Sequence, residues 1–183
     1  MITRHVVIGG MKHCGKSTQA KRLADFWQVP FFDTDTLLED AYAQVTGMKR
    51  TCREIFREEG EGYFRKREAE VIAHLAAEEP PGGRVIALGG GVPANPFIPE
   101  DDLRKLGFFV FLELDEKVAF ERVVREGLPP FLEKEADPAA AFSLLYFKRL
   151  VFYRHFSECT VALEPADDIE TVFGKLVRAI EEA

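Results

Sequence analysis

Cysteine is scarce in this chain. The three cysteines lie far apart in the sequence, at Cys14, Cys52 and Cys159. None belongs to a CxxC pair or to a Cys/His spacing typical of metal sites, so we expect reduced thiols in a cytoplasmic protein. Long apolar runs are also missing, as is a basic and apolar leader of signal length after Met1. We therefore predict neither export nor a membrane anchor.

An excess of positive charge is missing too, since the formal net charge is −7. Nucleic-acid binding depends on clustered Lys and Arg that displace counterions, so that main function is not expected. Because the chain as a whole is negatively charged, an anion can bind only where Lys or Arg residues provide local positive charge. The composition, 46% hydrophobic and 30% charged, is typical of a folded globular protein. A length of 183 residues favours one domain with its own core.

Strand-like and helix-like segments alternate along the chain, which is typical of a parallel sheet covered by helices. Short apolar runs predict buried strands at 5–8, 29–32, 85–88, 108–114 and 159–163. Helical patterns occupy 16–27, 36–45, 51–59, 63–79, 99–106, 116–126, 138–158 and 169–182. The predicted fold class is therefore α/β. The segment GLPPFLEKEAD at 127–137 is rich in proline and charge, and we predict an exposed loop that is a candidate lid.

One glycine-rich stretch carries the strongest functional signal. Gly10, four further residues, and then Gly15, Lys16 and Ser17 match the P-loop pattern G-x-x-x-x-G-K-[ST]. A β-rich run precedes it and a helical pattern follows, the setting in which backbone N–H groups and a helix N-terminus bind phosphate. Lys16 would reach the β- and γ-phosphates, and the Ser17 hydroxyl would hold Mg²⁺. The structural alternative is a glycine-rich turn capped by Ser17.

Three further features carry both a structural and a functional interpretation. DTD at 33–35 follows the second strand and suits a helix cap as well as a ligand site. GGG at 89–91 follows the third strand and suits either a sharp loop or backbone lying against a ligand. Arg149 lies on an apolar, aromatic helix face, where a cation either extends to the surface or points into a cavity with an anion.

Taken together and in this order, GxxxxGKST, DTD, FRKREAE at 64–70 and GGG resemble the shikimate kinase family over nearly the whole chain. The resemblance implies a single P-loop NTPase domain over 1–183, of the nucleoside monophosphate kinase type. Its five-stranded parallel sheet would have order 2-3-1-4-5 with helices on both faces. The implied activity is transfer of the ATP γ-phosphate to the 3-hydroxyl of shikimate, with Mg²⁺ as cofactor, in aromatic amino-acid synthesis.

The same resemblance implies roles for individual residues. Asp35 would orient the acceptor and act as base beside the catalytic Lys16, and Asp33 would hold a magnesium-bound water. Arg65 and Arg149 would grip the substrate carboxylate, which suits the planar guanidinium fork. For Arg65, an exposed position in the charged run RKR is the alternative.

Two larger sets complete the implied contacts. The nucleotide would be bound by Gly10, Gly15, Lys16, Ser17, Thr18 and Arg122, the last at a position where many members stack an arginine on adenine. The acceptor would be bound by Asp35, Arg65, Gly89, Gly90, Gly91 and Arg149. Segments 36–79 and 127–138 would form the substrate-binding helices and the lid.

The chain departs from the family in its lid. Pro129 stands where the Arg-Pro-Leu-Leu motif of the family has an arginine that closes over ATP and the transferring phosphoryl group. Proline supplies neither charge nor a hydrogen-bond donor, although a transition-state arginine is worth about 10³–10⁵ in rate in enzymes that use one. Arg125 and Lys134 are candidates to replace it if the lid folds differently, and each fits a solvated surface charge equally well.

A second departure is the presence of several extra residues between Asp35 and Arg65. They fall in the helical region that would form the wall over the acceptor, where Lys49, Arg50 and Arg53 are candidates to alter the pocket. The acceptor is therefore predicted less firmly than the nucleotide.

Two other functions stay open. One is a kinase for another small polyol or acid, resembling gluconate kinase, although DTD, FRK and GGG favour shikimate. The other is a nucleotide-binding protein with weak or lost transfer activity that serves as a sensor or partner, which the lid proline motivates. In each case we expect a monomer that binds neither nucleic acid nor a membrane.

Overall fold

Short parallel strands form the centre of the fold. In the computed structural model, which describes residues 5–183, a five-stranded sheet has the order β2-β3-β1-β4-β5 with every neighbouring pair parallel. The strands are β1 (His5–Gly10), β2 (Phe31–Asp33), β3 (Arg84–Ala87), β4 (Phe108–Leu114) and β5 (Cys159–Leu163). The predicted α/β class, the parallel sheet and its strand order are confirmed.

Helices occupy most of the chain between the strands. They are α1 (Lys16–Trp27), α2 (Thr34–Thr46), α3 (Cys52–Glu59), α4 (Glu61–Ala77), α5 (Glu100–Lys105), α6 (Glu116–Arg125), α7 (Pro130–Glu133), α8 (Pro138–Phe156) and α9 (Ile169–Glu181). A 3₁₀ turn at Val92–Ala94 follows β3. Between residues 5 and 183 no helix combines the length and the apolar character that a bilayer crossing requires.

The central strand is covered on both faces. Val6, Val7 and Ile8 of β1 are all fully buried, although successive side chains of a strand point to opposite faces. Helix α1 packs on β1 and β3 and contacts α9, whereas α8 packs on β4. This double cover explains why the strands are continuously apolar rather than alternating.

Three strands end together at the edge of the sheet that carries the candidate site. In the register of the sheet, Ile8 of β1 and Asp33 of β2 both lie opposite Ala87 of β3. Because the strands are parallel, the loops that follow them begin side by side. The glycine-rich loop, DTD and GGG therefore meet at the carboxyl edge, where open α/β sheets bind ligands.

Two elements differ from the sequence-based prediction in ways that affect this edge. Helix α2 begins at Thr34 rather than at residue 36, because an Asp33 carboxylate oxygen accepts a hydrogen bond of 3.0 Å from the Asp35 N–H. Asp35 therefore lies in the first turn of a helix. The predicted loop 127–137 contains the short helix α7, which starts at Pro130, a residue whose fixed φ suits a first helical turn.

Candidate active site

The glycine-rich loop forms a cradle at the start of α1. Gly15, the residue before the helix, has φ 91°, a left-handed conformation that favours glycine. A side chain at Gly10 is excluded because its Cβ would lie 2.8 Å from the Leu112 carbonyl oxygen. His13 also adopts a left-handed conformation, with φ 63°. The loop therefore has the tight shape that turns backbone N–H groups toward an anion.

A groove runs along this cradle, and most of the predicted nucleotide-binding residues line it. Its lining is Lys12, His13, Gly15, Lys16, Ser17, Thr18, Asp35, Arg122, Arg125 and Glu126. Arg122 Nη1 donates a hydrogen bond of 3.1 Å to the His13 carbonyl oxygen, which holds the arginine beside the loop. A second depression continues past Arg122 toward the segment between β5 and α9. Gly10 lies beneath the loop rather than in the groove.

The DTD segment both caps a helix and contributes a side chain to the groove. Asp33 caps α2 with one carboxylate oxygen, and the Thr34 hydroxyl accepts a hydrogen bond of 2.7 Å from the Gly89 N–H. These two contacts leave Asp35 facing the groove. A Cβ at Gly89 would lie 2.6 Å from Asp35 Oδ1, so glycine is required for this close approach.

The Asp35 carboxylate lies among protein atoms although solvent reaches it. This desolvation raises the pKa of Asp35, and the nearby carboxylates of Asp33 and Glu39 act in the same direction. The ammonium groups of Lys16 and Lys12 oppose the rise in pKa. A carboxylate whose pKa is raised is a stronger base than an ordinary aspartate, which suits it to accept a proton from a bound hydroxyl group.

Arg65 is held in place by carboxylates and is not on an exposed helix face. Its Nη1 donates a hydrogen bond of 2.8 Å to Glu68 Oε2, and the side chain is 16% exposed. Asn95 fixes the pair, because its Nδ2 donates both to the Arg65 carbonyl oxygen at 2.7 Å and to Glu68 Oε2 at 3.1 Å. The guanidinium also lies so close to Gly91 that a Cβ there would overlap it.

Arg149 points into a cavity rather than to the surface. The residue is 9% exposed, and among residues 5–183 no hydrogen bond or ion pair holds its guanidinium. Its guanidinium lies over the ring of Phe131, whose centroid is 6.0 Å from the arginine Cζ. Burial lowers the pKa of Arg149. A buried cation without a paired carboxylate provides a site for an anionic group of a ligand.

Tyr153 joins the two glycine loops. Its hydroxyl lies within hydrogen-bond distance of the Gly10 carbonyl oxygen, at 2.7 Å, and of the Gly90 carbonyl oxygen, at 2.9 Å. The ring stacks on Phe111 of β4 with centroids 4.7 Å apart. The loops after β1 and β3 are thus fixed relative to each other by a residue of α8, the helix that also carries Arg149.

The predicted acceptor residues other than Gly89 line one cavity. Its polar lining includes Lys12, Lys16, Asp35, Arg53, Arg65, Glu68 and Arg149, and Gly90 and Gly91 form part of its wall. Gly89 lies directly beneath Asp35. The structure thus brings together residues from four distant parts of the chain at the carboxyl edge of the sheet.

The candidate lid covers this cavity with apolar residues. Pro129, Pro130 and Phe131 line it, and the Phe131 ring lies 6.1 Å from that of Phe56 in α3. Arg53 Nη2 donates to the Gly127 carbonyl oxygen at 2.8 Å and also to the Leu128 carbonyl oxygen. Helix α3 therefore holds the segment in place over the cavity.

The cations that were candidates to alter the pocket or to replace a lid arginine lie in different places. Lys49 and Arg50 line a separate surface pocket, where Arg50 pairs with Glu58. Lys134 lies outside the groove and the cavity, and Arg125 lines only the groove. Of these residues, only Arg53 reaches the cavity.

Sequence reasoning missed two polar residues of the site. Glu68 had a readable signal, because a residue three positions after Arg65 lies on the same helix face. Lys12 had none, because it occupies a position of the P-loop pattern at which any residue is allowed.

The donor chemistry beside the cradle suits Mg²⁺. Among residues 5–183 no group of three His, Cys, Asp or Glu side chains could hold a metal ion by itself. The Ser17 hydroxyl lines the groove, whereas Asp33 caps α2 and lies outside the groove lining. Both are hard oxygen donors, and Mg²⁺ commonly combines few such donors with waters and substrate phosphates. The site therefore fits a metal that arrives with a nucleotide.

Shikimate kinases resemble this chain in both sequence and structure. A family model described as shikimate kinase matches residues 12–181. A shikimate kinase from Rhodopseudomonas palustris is 38% identical over 162 residues, covering 87% of this chain and 72% of that protein. One from Symbiobacterium thermophilum is 33% identical over 177 residues, covering 94% and 95%.

Solved structures show the same architecture. The crystal structure of shikimate kinase from Aquifex aeolicus has a TM-score of 0.72 and 27% sequence identity, covering 97% of this chain and 96% of that one. Shikimate kinase from Acinetobacter baumannii in complex with shikimate has a TM-score of 0.77 and 24% identity, covering 98% and 93%. The latter supports the fold alone.

Proposed function

The chain belongs to the shikimate kinase family, and on that premise we propose that it transfers the γ-phosphate of ATP to the 3-hydroxyl of shikimate. The observation that carries the proposal is the convergence of Asp35, Arg65 and Arg149 on one cavity beside the phosphate cradle. Such a cavity offers two cations to a carboxylate and one carboxylate to a hydroxyl. These are the groups of a small hydroxy acid.

The acceptor carboxylate would bind between the two arginines. Arg149 has no carboxylate partner of its own within the described chain, whereas Arg65 is oriented by Glu68. Paired guanidinium groups hold a carboxylate through parallel, charge-assisted hydrogen bonds. Gly89, Gly90 and Gly91 would leave room for the ring of the acceptor, because any side chain at the first or third position would collide with Asp35 or Arg65.

ATP would lie in the groove, with its phosphates in the cradle formed by Gly10, Gly15, Lys16, Ser17 and Thr18. Arg122 would contact the adenine ring, since the depression on its far side continues the groove. Ser17 and Asp33, the latter through a water, would hold the magnesium ion. When bound, that ion neutralises charge on the phosphates during transfer.

Asp35 would orient the attacking hydroxyl and accept its proton. The raised pKa of this carboxyl moves it toward neutral pH, where a base is most effective. Lys16 would stabilise the negative charge that develops on the phosphates. Positioning and charge stabilisation of this kind account for most of the catalysis in phosphoryl transfer.

The proposal is tested by ADP release measured with ATP, Mg²⁺ and a panel of acceptors that includes shikimate and gluconate. We expect turnover with shikimate, with the 3-phosphate identified by phosphorus NMR, and none in Lys16→Met. Protein that binds ATP but shows no shikimate-dependent turnover at millimolar acceptor would refute the proposal. Turnover with gluconate alone would favour the other small-molecule kinase.

The proposed reaction serves aromatic amino-acid synthesis, which agrees with the expected cytoplasmic location. We also propose that the protein acts as a monomer, because all the residues named above come from a single chain. Sedimentation of the active enzyme at assay concentration would reveal a dimer if this is wrong.

A further inference from the structure

Three residues line both the nucleotide groove and the acceptor cavity. They are Lys12, Lys16 and Asp35. A phosphoryl group that moves from the groove to the cavity must pass between these side chains. Lys16 and Asp35 already have roles in the proposed function, so the position of Lys12 at the same junction needs an explanation of its own.

Lys12 has no partner that would explain it as a structural residue. Within residues 5–183 no hydrogen bond or ion pair holds its ammonium group, and the side chain is exposed to the cleft. It lies in the field of Arg53 and Lys16, which repel it, and of Asp35, which attracts it. Several cations gathered in a protein of net charge −7 indicate a site for a highly charged anion.

Other cations near the junction are engaged or placed elsewhere. Arg53 donates to the carbonyl oxygens of Gly127 and Leu128, and it lines only the cavity. Arg125 lines only the groove. The lid above the junction contributes the apolar residues Pro129, Pro130 and Phe131. Positive charge for the phosphoryl group at the junction therefore comes from the P-loop, which carries Lys12 in addition to Lys16.

We propose that Lys12 is a further catalytic residue, which contacts the transferring phosphoryl group and supplies positive charge to its equatorial oxygens in the transition state. The inference rests on the proposed function. The acceptor oxygen forms a bond to the γ-phosphorus while the bond from that phosphorus to the bridging oxygen breaks, and the electron pair leaves with ADP. The hydroxyl proton passes to Asp35. Lys12 keeps its protons throughout.

The first test compares Lys12→Met with Lys12→Arg. Methionine keeps much of the side-chain volume without charge, and we expect kcat to fall about 100-fold or more, as for loss of one transition-state donor. KM for ATP should change by less than about threefold, because the contact is made in the transition state. Arginine should restore about a tenth of kcat or more. Lys21→Met, at an exposed residue paired with Asp25, is the matched control and should have wild-type kcat.

A binding measurement tests the contact between Lys12 and the phosphoryl group without relying on turnover. ADP with Mg²⁺ and aluminium fluoride mimics the planar phosphoryl group in transit. Lys12→Met should bind ADP alone as the wild type does, which also shows that it is folded, and should bind the fluoride complex in the presence of shikimate about tenfold or more weaker. Equal affinity of both proteins for the fluoride complex would overturn the inference, as would a kcat of Lys12→Met within about threefold of wild type.

These readouts separate the inference from the function on which it rests. A wild type that binds the fluoride complex but shows no shikimate-dependent turnover would refute the proposed function, whereas its affinity relative to Lys12→Met would still report whether Lys12 contacts the phosphoryl position. A wild type with full turnover and an unaffected Lys12→Met would leave the kinase activity standing and refute the role of Lys12.

The dependence of kcat on pH provides a further test, because a purely structural role of Lys12 would not affect it. Partial desolvation by the walls of the cleft and the cations Arg53 and Lys16 lower the pKa of Lys12, against the opposing influence of Asp35 and Cys52, while His13 lies close by. The ammonium charge is present below this lowered pKa and is lost as the pH rises through it. The kcat of the wild type should therefore decline on the alkaline side, and Lys12→Arg should move that decline to higher pH. An unchanged alkaline limb in Lys12→Arg would contradict the inference.

Discussion

The two arginines of the acceptor cavity differ in what holds them. Arg65 is tied to Glu68, whose position is fixed in turn by Asn95. Arg149 is buried without an ion pair in the described part of the chain, so it gains a direct anionic partner only when a ligand enters. One arginine is therefore positioned before the acceptor binds, and the other gains most of its favourable interactions on binding. Substitutions of the two should have different effects on stability.

Arg149→Met tests the role of the arginine without a partner. We expect KM for shikimate to rise about 10–100-fold, which corresponds to the loss of hydrogen bonds between charged groups. The free energy of unfolding should stay level or increase, because an unpaired buried cation is replaced by an apolar side chain. Steady-state kinetics and urea unfolding measure the two effects. An unchanged KM would exclude Arg149 from the acceptor site, and a large loss of stability would show that it has a structural partner in solution.

Glu68→Gln tests the positioning of the other arginine. The glutamine keeps the shape and weakens the hold on Arg65, so KM for shikimate should rise roughly three- to tenfold while KM for ATP stays constant. Glu70→Gln, on the exposed side of α4 where Glu70 pairs with Arg67, is the control. A fall in kcat of Glu68→Gln without a change in KM would contradict a positioning role.

The same variant predicts a pH effect. Burial raises the pKa of Glu68, against the opposing influence of Arg65. The group is ionised above that raised pKa, so Arg65 loses its charged partner as the pH falls through a value higher than that of an ordinary glutamic acid. KM for shikimate in the wild type should rise on the acid side of the profile. Glu68→Gln, which cannot ionise, should give a flatter acid limb.

At the scale of elements, the sequence predicted the strands and most helices because their signals are local. Five apolar runs and the P-loop pattern were enough for the sheet, and the resemblance supplied its order. The predicted start of α2 was two residues too late. Asp33 caps the helix, but the sequence DTD suits a loop as well as a helix start, so it does not show which residue is the cap. Helix α7 was missed because a helix of four residues, which begins at the second of two prolines, is too short to show helical periodicity.

Site residues that belong to a sequence motif could be predicted, whereas residues whose role comes from contacts between remote parts of the folded chain could not. Gly89 and Gly91 could be named from their run of three, yet the steric reason for each lies in Asp35 and Arg65, which are remote in sequence. Tyr153 links two loops only after the sheet has formed. Lys12 could not be predicted as a site residue, because its distinguishing feature is its position where the nucleotide groove meets the acceptor cavity.

The lid provides a prediction at this scale. Pro129→Arg is compatible with the observed backbone, since Pro129 has an extended conformation with φ −69° and precedes α7. If Lys12 supplies charge to the transferring group, kcat of Pro129→Arg should gain less than about threefold in the wild-type background. The same substitution should recover about tenfold or more in Lys12→Met, since two cations that serve one charge are not additive. Single-turnover rates of the four proteins give this double-mutant cycle.

Two outcomes would contradict this account of the lid. A sharp increase in kcat from Pro129→Arg alone would mean that the natural chain lacks the charge, as expected for a protein with weak transfer. Equal gains in both backgrounds would mean that the arginine acts independently of Lys12. Pro130→Arg, at the neighbouring position of the same cavity wall, serves as the control for an added charge.

At the scale of the whole molecule, a net charge of −7 coexists with a cationic cleft. The P-loop, α3, α4, α6 and α8 each direct at least one Lys or Arg toward the groove or the cavity. Like charges gathered in this way repel each other in the free protein, and anionic ligands relieve that repulsion. Because the cleft is built from the loops after three strands, bound ligands also connect elements that are remote along the chain. Ligand binding should therefore stabilise the fold as a whole.

Thermal unfolding measures this coupling and separates binding from transfer. A non-hydrolysable ATP analogue with Mg²⁺ at 100 times its Kd should add about 2.7 kcal/mol to the free energy of unfolding, a rise in Tm of about 5–10 °C for a chain of this size. Shikimate should add a further increment. Lys16→Met should lose the nucleotide shift, whereas Arg149→Met should keep it and lose the shikimate shift. Both shifts in a protein without turnover would indicate that binding is retained and transfer lost, whereas the absence of a shikimate shift in the wild type would exclude shikimate as the acceptor even if ATP binds.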